Sequence, residues 1–131
     1  MKKFLVCALV VGFSYGITAS PAFAIKQFGE AWGEFYVKDS KNEEFKKAAS
    51  EAKCTVCHLE ESKKKHNAYG MEVKNLLKKK DFPVDRFKSD AAKCKAEIEA
   101  AFKKVEDVKA KDGKTYGEKI KAGQLPASDG K

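Results

Sequence analysis

Cys54-Thr55-Val56-Cys57-His58 constrains this chain more than any other stretch of it. Cys-x-x-Cys-His is the spacing at which a c-type haem is attached. Two thiols three positions apart can each form a thioether with a vinyl group of one porphyrin. The His that follows then reaches the iron from the proximal side. A thioredoxin-like dithiol would want a neighbouring βαβ pattern, and no such strand pattern is visible. A zinc site built from Cys54, Cys57 and Cys94 with a His lacks the usual second ligand pair at close spacing. A Cys54–Cys57 disulfide is the blandest alternative. The motif occurs once, so the expectation is one covalent haem c bound by Cys54, Cys57 and His58.

Haem of this kind is attached outside the cytoplasm, and the N-terminus fits that requirement. Met1-Lys2-Lys3 is a short positive start, Phe4 to Ile17 is almost wholly apolar, and Ala22-Phe23-Ala24 presents small residues at both positions a signal peptidase reads. The apolar run is about 14 residues, short of the roughly 20 that span a bilayer. Residues 1–24 therefore read as a signal peptide, residues 25–123 as the haem domain and residues 124–131 as a flexible tail. The expected location is the periplasm or an equivalent extracytoplasmic compartment, with no membrane attachment after cleavage. Cys7 leaves with the signal, so the four Cys of the full chain become three. Two are used in thioethers and Cys94 is left over.

The iron has a sixth position to fill. Cys94, Ile98, Ala101, Phe102, Val105 and Val108 recur at three- and four-residue steps, one stripe of an α-helix, so Cys94 points toward the core. A thiolate there would be a strong anionic ligand and would lower the reduction potential relative to Met. The alternatives are a buried free thiol acting as a small hydrophobe or an intermolecular disulfide. Met71 and His66 are the other candidate distal ligands. Met71 sits only 13 residues after His58, and His66 follows Lys63-Lys64-Lys65 in what reads as a solvated loop. An open, five-coordinate iron is the last option.

The rest of the pattern is all-α, a small cytochrome c-like helical domain wrapped around one haem. Phe28, Trp32, Phe35 and Tyr36 form an aromatic helical stripe across residues 25–39. Ser40 and Glu43 have capping-box spacing, ahead of a helix with Phe45, Ala48, Ala49 and Ala52 inward that runs into the haem motif. Residues 67–79 predict a helix with Tyr69, Val73, Leu76 and Leu77 on one face. Asp81-Phe82-Pro83 breaks it. A long helix then starts between Val84 and Asp90 and stops at Asp112-Gly113, with Lys93/Glu97, Lys95/Glu99 and Glu99/Lys103 at pairing distance. A short helix covers Thr115 to Ala122. Ala68-Tyr69-Gly70 and Thr115-Tyr116-Gly117 echo each other, each followed by a β-branched residue four positions after the Tyr.

Phe35-Tyr36-Val37, Phe45-Lys46-Lys47-Ala48, Ala52-Lys53-Cys54 to His58, Lys64-Lys65-His66-Asn67-Ala68-Tyr69-Gly70, Asp81-Phe82 and Tyr116-Gly117 together resemble the small monohaem cytochromes c of planctomycete bacteria. Within them the chain looks most like a subunit of the heterodimeric monohaem cytochromes of anaerobic ammonium-oxidising bacteria. That resemblance implies a His/Cys-ligated haem with His58 proximal and Cys94 distal, binding of small gases such as NO or CO, a second small cytochrome subunit as partner, and the anammoxosome lumen as compartment. The lack of a Met in the C-terminal half departs from ordinary His/Met carriers.

Two functions compete on this footing. One is a one-electron carrier whose basic surface steers acidic redox partners; the other is a diatomic-gas binder or redox sensor. No Gly-rich phosphate loop and no Ser-His-Asp set is present, which points away from an enzyme. Net charge +8 suggests nucleic acid at first sight, but the cations are interspersed with acids and the chain carries an export signal.

Overall fold

The computed structural model describes residues 22–128, with side chains from Lys26 onward. The expected signal peptide therefore lies outside the described residues, apart from the backbone at its last three positions. The chain is mostly helical: α1 (Ala22–Trp32), a wide turn of π-helix (Gly33–Val37), α2 (Glu43–Ala52), a 3₁₀ turn (Lys53–Val56), β1 (His58–Leu59), β2 (Ser62–His66), α3 (Ala68–Leu76), a 3₁₀ turn (Lys79–Asp81), α4 (Val84–Ser89), α5 (Ala91–Glu106) and α6 (Tyr116–Lys121). No described helix is long and apolar enough to cross a membrane.

Helix α5 is the centre of the packing, touching α1, α3, α4 and α6. Its inward stripe is the one the periodicity marks: Cys94, Ile98, Ala101, Phe102 and Val105 are all buried. The aromatic stripe of the first helix closes over it. Trp32 is buried and donates Nε1–H to Tyr69 Oη at 2.9 Å, so its one polar atom is satisfied inside the core. Tyr36 donates its hydroxyl to Glu106 Oε1 at 2.9 Å, and Phe28 meets Phe82 edge-on with ring centres 5.3 Å apart.

Several local expectations change. Ser40 does not cap α2. Asn42 does, with Oδ1 accepting Phe45 N–H at 3.0 Å, while Ser40 Oγ accepts from Asn42 N–H. A complete capping box sits instead on α6, between Thr115 and Glu118. The long helix is two helices, because the chain leaves helical geometry at Asp90 (φ −147°); it ends at Glu106 rather than Asp112. Residues 107–115 then fold back as a tight loop, with Gly113 at φ 86° and Ala110 N–H on Lys114 C=O. Lys119 is buried at 1% exposure and pairs with Asp112 at 3.3 Å, which ties this loop to α6. Glu97 pairs with Arg86 at 2.6 Å, not Lys93, and Lys95 reaches Glu34 at 2.6 Å. Leu77 is buried while Leu76 is exposed. Residues 124–128, expected to fray, pack back instead: Pro126 is buried and Leu125 and Ala127 lie against the core. Residues 129–131 lie outside the described part.

The two Tyr-Gly steps meet. The Tyr69 and Tyr116 rings pack edge-to-face with centres 5.1 Å apart. Each following glycine lies where a Cβ would strike neighbouring atoms, Gly70 on the Cys57 carbonyl and Gly117 on Glu106. The helix caps differ, however. Asn67 caps α3 two residues before its Tyr, and Thr115 caps α6 one residue before. The echo is one packing device used twice.

Candidate haem-attachment site

Helix α2 delivers the motif and stops where it must. Lys53 has φ 48°, the one positive value on a non-glycine residue among those described. That conformation crowds a Cβ and is uncommon outside glycine. It ends α2 abruptly and throws Cys54, Thr55 and Val56 into a 3₁₀ turn. Thr55 Oγ1 back-bonds to Ala52 C=O at 2.8 Å, bracing the turn from its own side.

The segment expected as a loop, Lys63 to Asn67, is largely strand. β2 pairs antiparallel with β1, and His66 is the cross-strand partner of His58. The hairpin forms because Asn67 anchors its far end. Asn67 is buried, and four of its hydrogen bonds join the Cys-x-x-Cys turn to the start of α3. Its N–H donates to Cys57 C=O at 3.0 Å, its Nδ2 to Thr55 C=O and Val56 C=O at 3.0 Å each, and its Oδ1 accepts Gly70 N–H at 2.8 Å. One side chain thus caps α3 and clamps the Cys-x-x-Cys backbone. Sequence reasoning missed this role. An Asn directly before a helix signals an N-cap, but nothing local says where its amide nitrogen goes. Gly70 completes the clamp by letting α3 lie directly on Cys57.

The donor atoms are arranged as follows. Cys54 is exposed, Cys57 is half-buried, and both are free thiols. Burial, with the Cys54 thiol beside it, pushes the Cys57 thiol up to about 12. His58 Nδ1 lies 3.3 Å from Lys65 C=O. In the tautomer with the proton on Nδ1 this is a donated hydrogen bond, which leaves Nε2 as a lone-pair donor. That is the usual arrangement of a metal-binding imidazole whose other nitrogen is held by a backbone carbonyl. The His66 ring lies against His58, with centres 4.5 Å apart and planes 37° apart. Burial, the neighbouring His58, and Lys74 and Lys79 hold His66 below the ordinary histidine value. The donor set of two adjacent free thiols and one oriented imidazole fits a covalently attached haem.

The other candidate ligands are spread out. Cys94 is fully buried on α5 at 0% exposure, whereas Met71 is 43% exposed on α3. Among the described residues no three His, Cys, Asp or Glu side chains converge on a point that could hold a metal ion, so the zinc alternative has no assembled site. A cavity of about 250 Å³ lies elsewhere, lined by Phe35, Tyr36, Glu106, Gly117, Ile120 and Lys121. It shares no residue with the Cys54–His58 motif. Comparison with protein-family models, curated proteins and solved structures finds no match for this chain.

Proposed function

We propose that this chain is an exported monohaem c-type cytochrome that works in electron transfer, in binding of NO or CO, or in both. The observation that carries the proposal is His58. Its Nδ1 is engaged by the Lys65 carbonyl and, among the described residues, its Nε2 has no partner and the two thiols that precede it are unpaired. Cys54 and Cys57 would hold the haem through thioethers, and His58 Nε2 would ligate its iron. A haem held this way supplies one-electron redox chemistry and a coordination position for small gases.

The chain's own residues set the terms. Asn67 and Gly70 clamp the Cys-x-x-Cys backbone, from which the two sulfurs and the imidazole would reach the haem. The Lys65 carbonyl fixes which His58 nitrogen is the ligand. Cys94 is the proposed distal ligand, on the strength of its inward position on α5. A second reading has an observation of its own. Cys94 belongs to the continuous core of Ile98, Ala101, Phe102 and Val105, as a core thiol would, and the iron would then be five-coordinate and open to gas. Met71 and His66 are the alternatives of a conventional carrier.

Expression with its N-terminus in a host that matures c-type haem tests the reading. Denatured, extracted protein should retain one haem per chain, and Cys54→Ala with Cys57→Ala should lose it. Wild type that yields no acid-stable haem under these conditions sinks the proposal. Electron paramagnetic resonance of the ferric protein and of Cys94→Ala then decides the sixth position. A low-spin thiolate signal lost in the variant supports Cys94; an unchanged spectrum assigns it to the core.

A further inference from the structure

We propose that His66 is a positioning residue for the His58 imidazole, setting the angle of its ring plane by direct stacking from the paired strand. The inference rests on the reading of His58 as an iron ligand.

Its ground is the register of the hairpin. His58 and His66 are direct partners across β1 and β2, and directly opposed residues carry their side chains on the same face within contact distance. The rings are 4.5 Å apart at 37°, an offset contact of the kind aromatic pairs prefer. Two imidazoles in contact leave no room for an iron between them, since each metal–nitrogen bond needs about 2 Å. This places His66 beside the ligand, not opposite it.

Such a support has a job here. Among the described residues the one hydrogen bond holding the ring is the 3.3 Å contact from Nδ1 to Lys65 C=O, at the long end of the useful range. One long hydrogen bond leaves the imidazole free to swing about its Cβ–Cγ bond. A flat neighbour on one face removes much of that freedom. Lys65 and His66 are adjacent on β2, so one strand supplies both the carbonyl that selects the nitrogen and the ring that limits the rotation. Outer groups of this kind orient metal-bound histidines and tune the metal. The pattern of haem methyl shifts in the ferric protein depends on the orientation of the axial imidazole plane, so it reads this angle directly.

The test uses the full haem-loaded chain, exported and matured, as wild type, His66→Ala, His66→Phe and His66→Leu. The expected result is a reordered set of methyl shifts in His66→Ala and His66→Leu, with His66→Phe close to wild type because a flat ring is restored. Reduction potentials should move in the same grouping. If His66→Ala yields no mature protein, the Phe and Leu variants carry the comparison. Equal spectra for Phe and Leu overturn the proposal, as does an unchanged His66→Ala spectrum. A bis-imidazole low-spin signal in wild type that His66→Ala abolishes also overturns it, by making His66 a ligand. Wild type without covalent haem is a different failure and falls on the assignment of His58.

Discussion

Gly70 packs its Cα face directly on the Cys57 carbonyl, leaving no space for a β-carbon. The carbonyl in question is also the acceptor of Asn67 N–H. Helix α3 and the Cys-x-x-Cys turn are therefore in backbone-to-backbone contact. Neither partner is a flexible side chain that could move aside.

Gly70→Ala is expected to cost about 2 kcal/mol, the scale of forced overpacking. The displaced atoms belong to the motif, so, if the proposed function holds, haem attachment should fall along with stability. Urea unfolding of the variant measures the first, and the ratio of covalent haem to protein measures the second. A variant as stable and as fully loaded as wild type would show that the turn is not held by this contact.

Lys53 stores strain that glycine would not. A non-glycine residue in a sparsely populated region with positive φ costs about 1 kcal/mol or more, and the Lys53 side chain is exposed. Lys53→Gly should therefore hold or raise stability by up to about 1 kcal/mol, less the greater freedom glycine gives the unfolded chain. Lys53→Val, β-branched, should lose stability at the same position. Thermal denaturation of the pair checks the order.

The Thr115–Glu118 capping box should make α6 sensitive to acid. Hydrogen bonds from Thr115 N–H and hydroxyl, in that order, hold the Glu118 carboxyl below its ordinary value of 4.5. A depressed carboxylate value means stability that is present above about pH 4.5 and lost as pH falls through the lower folded value. Thr115→Ala should cost about 1 kcal/mol near neutral pH, the usual worth of an N-cap. Glu118→Gln should flatten the acid limb of a stability–pH curve, and an unaltered limb would remove Glu118 from the account.

Tyr36 should act at the other end of the scale. Burial, then Tyr69 and the bond to Glu106, raise its phenol well above the ordinary value of 10.0. A raised phenol value contributes stability that is complete below about pH 10 and is lost as pH rises beyond it. Tyr36→Phe should be less stable by about 1 kcal/mol at neutral pH, for the lost hydrogen bond. The gap to wild type should narrow above about pH 10. Chemical denaturation at several alkaline pH values, with tyrosinate absorbance followed alongside, measures it.

Short-range signals carried much of this protein. The three- and four-residue spacing of Cys94, Ile98, Ala101, Phe102 and Val105 is enough to turn that face inward, because an α-helix puts those positions on one side. The helix that runs into Cys54 and the aromatic stripe around Trp32 are legible for the same reason. The proposal that Cys54, Cys57 and His58 hold a haem rests on their identity and spacing in the sequence. Tertiary structure decided what periodicity cannot express. Three consecutive lysines read as a solvated loop, yet Lys63 to Lys65 lie in a strand because Asn67 ties the end of the hairpin to the Cys-x-x-Cys turn 10 to 12 residues earlier. Glu97 and Lys95 choose Arg86 and Glu34 over the helix partners available to them, since those cations and acids come from other elements at 2.6 Å. The Lys65 carbonyl on His58, the His66 ring beside it and the absent β-carbon of Gly70 are all meetings of segments apart in sequence. A residue's type and spacing state what it can donate; only the folded chain states which atom is left free to do so.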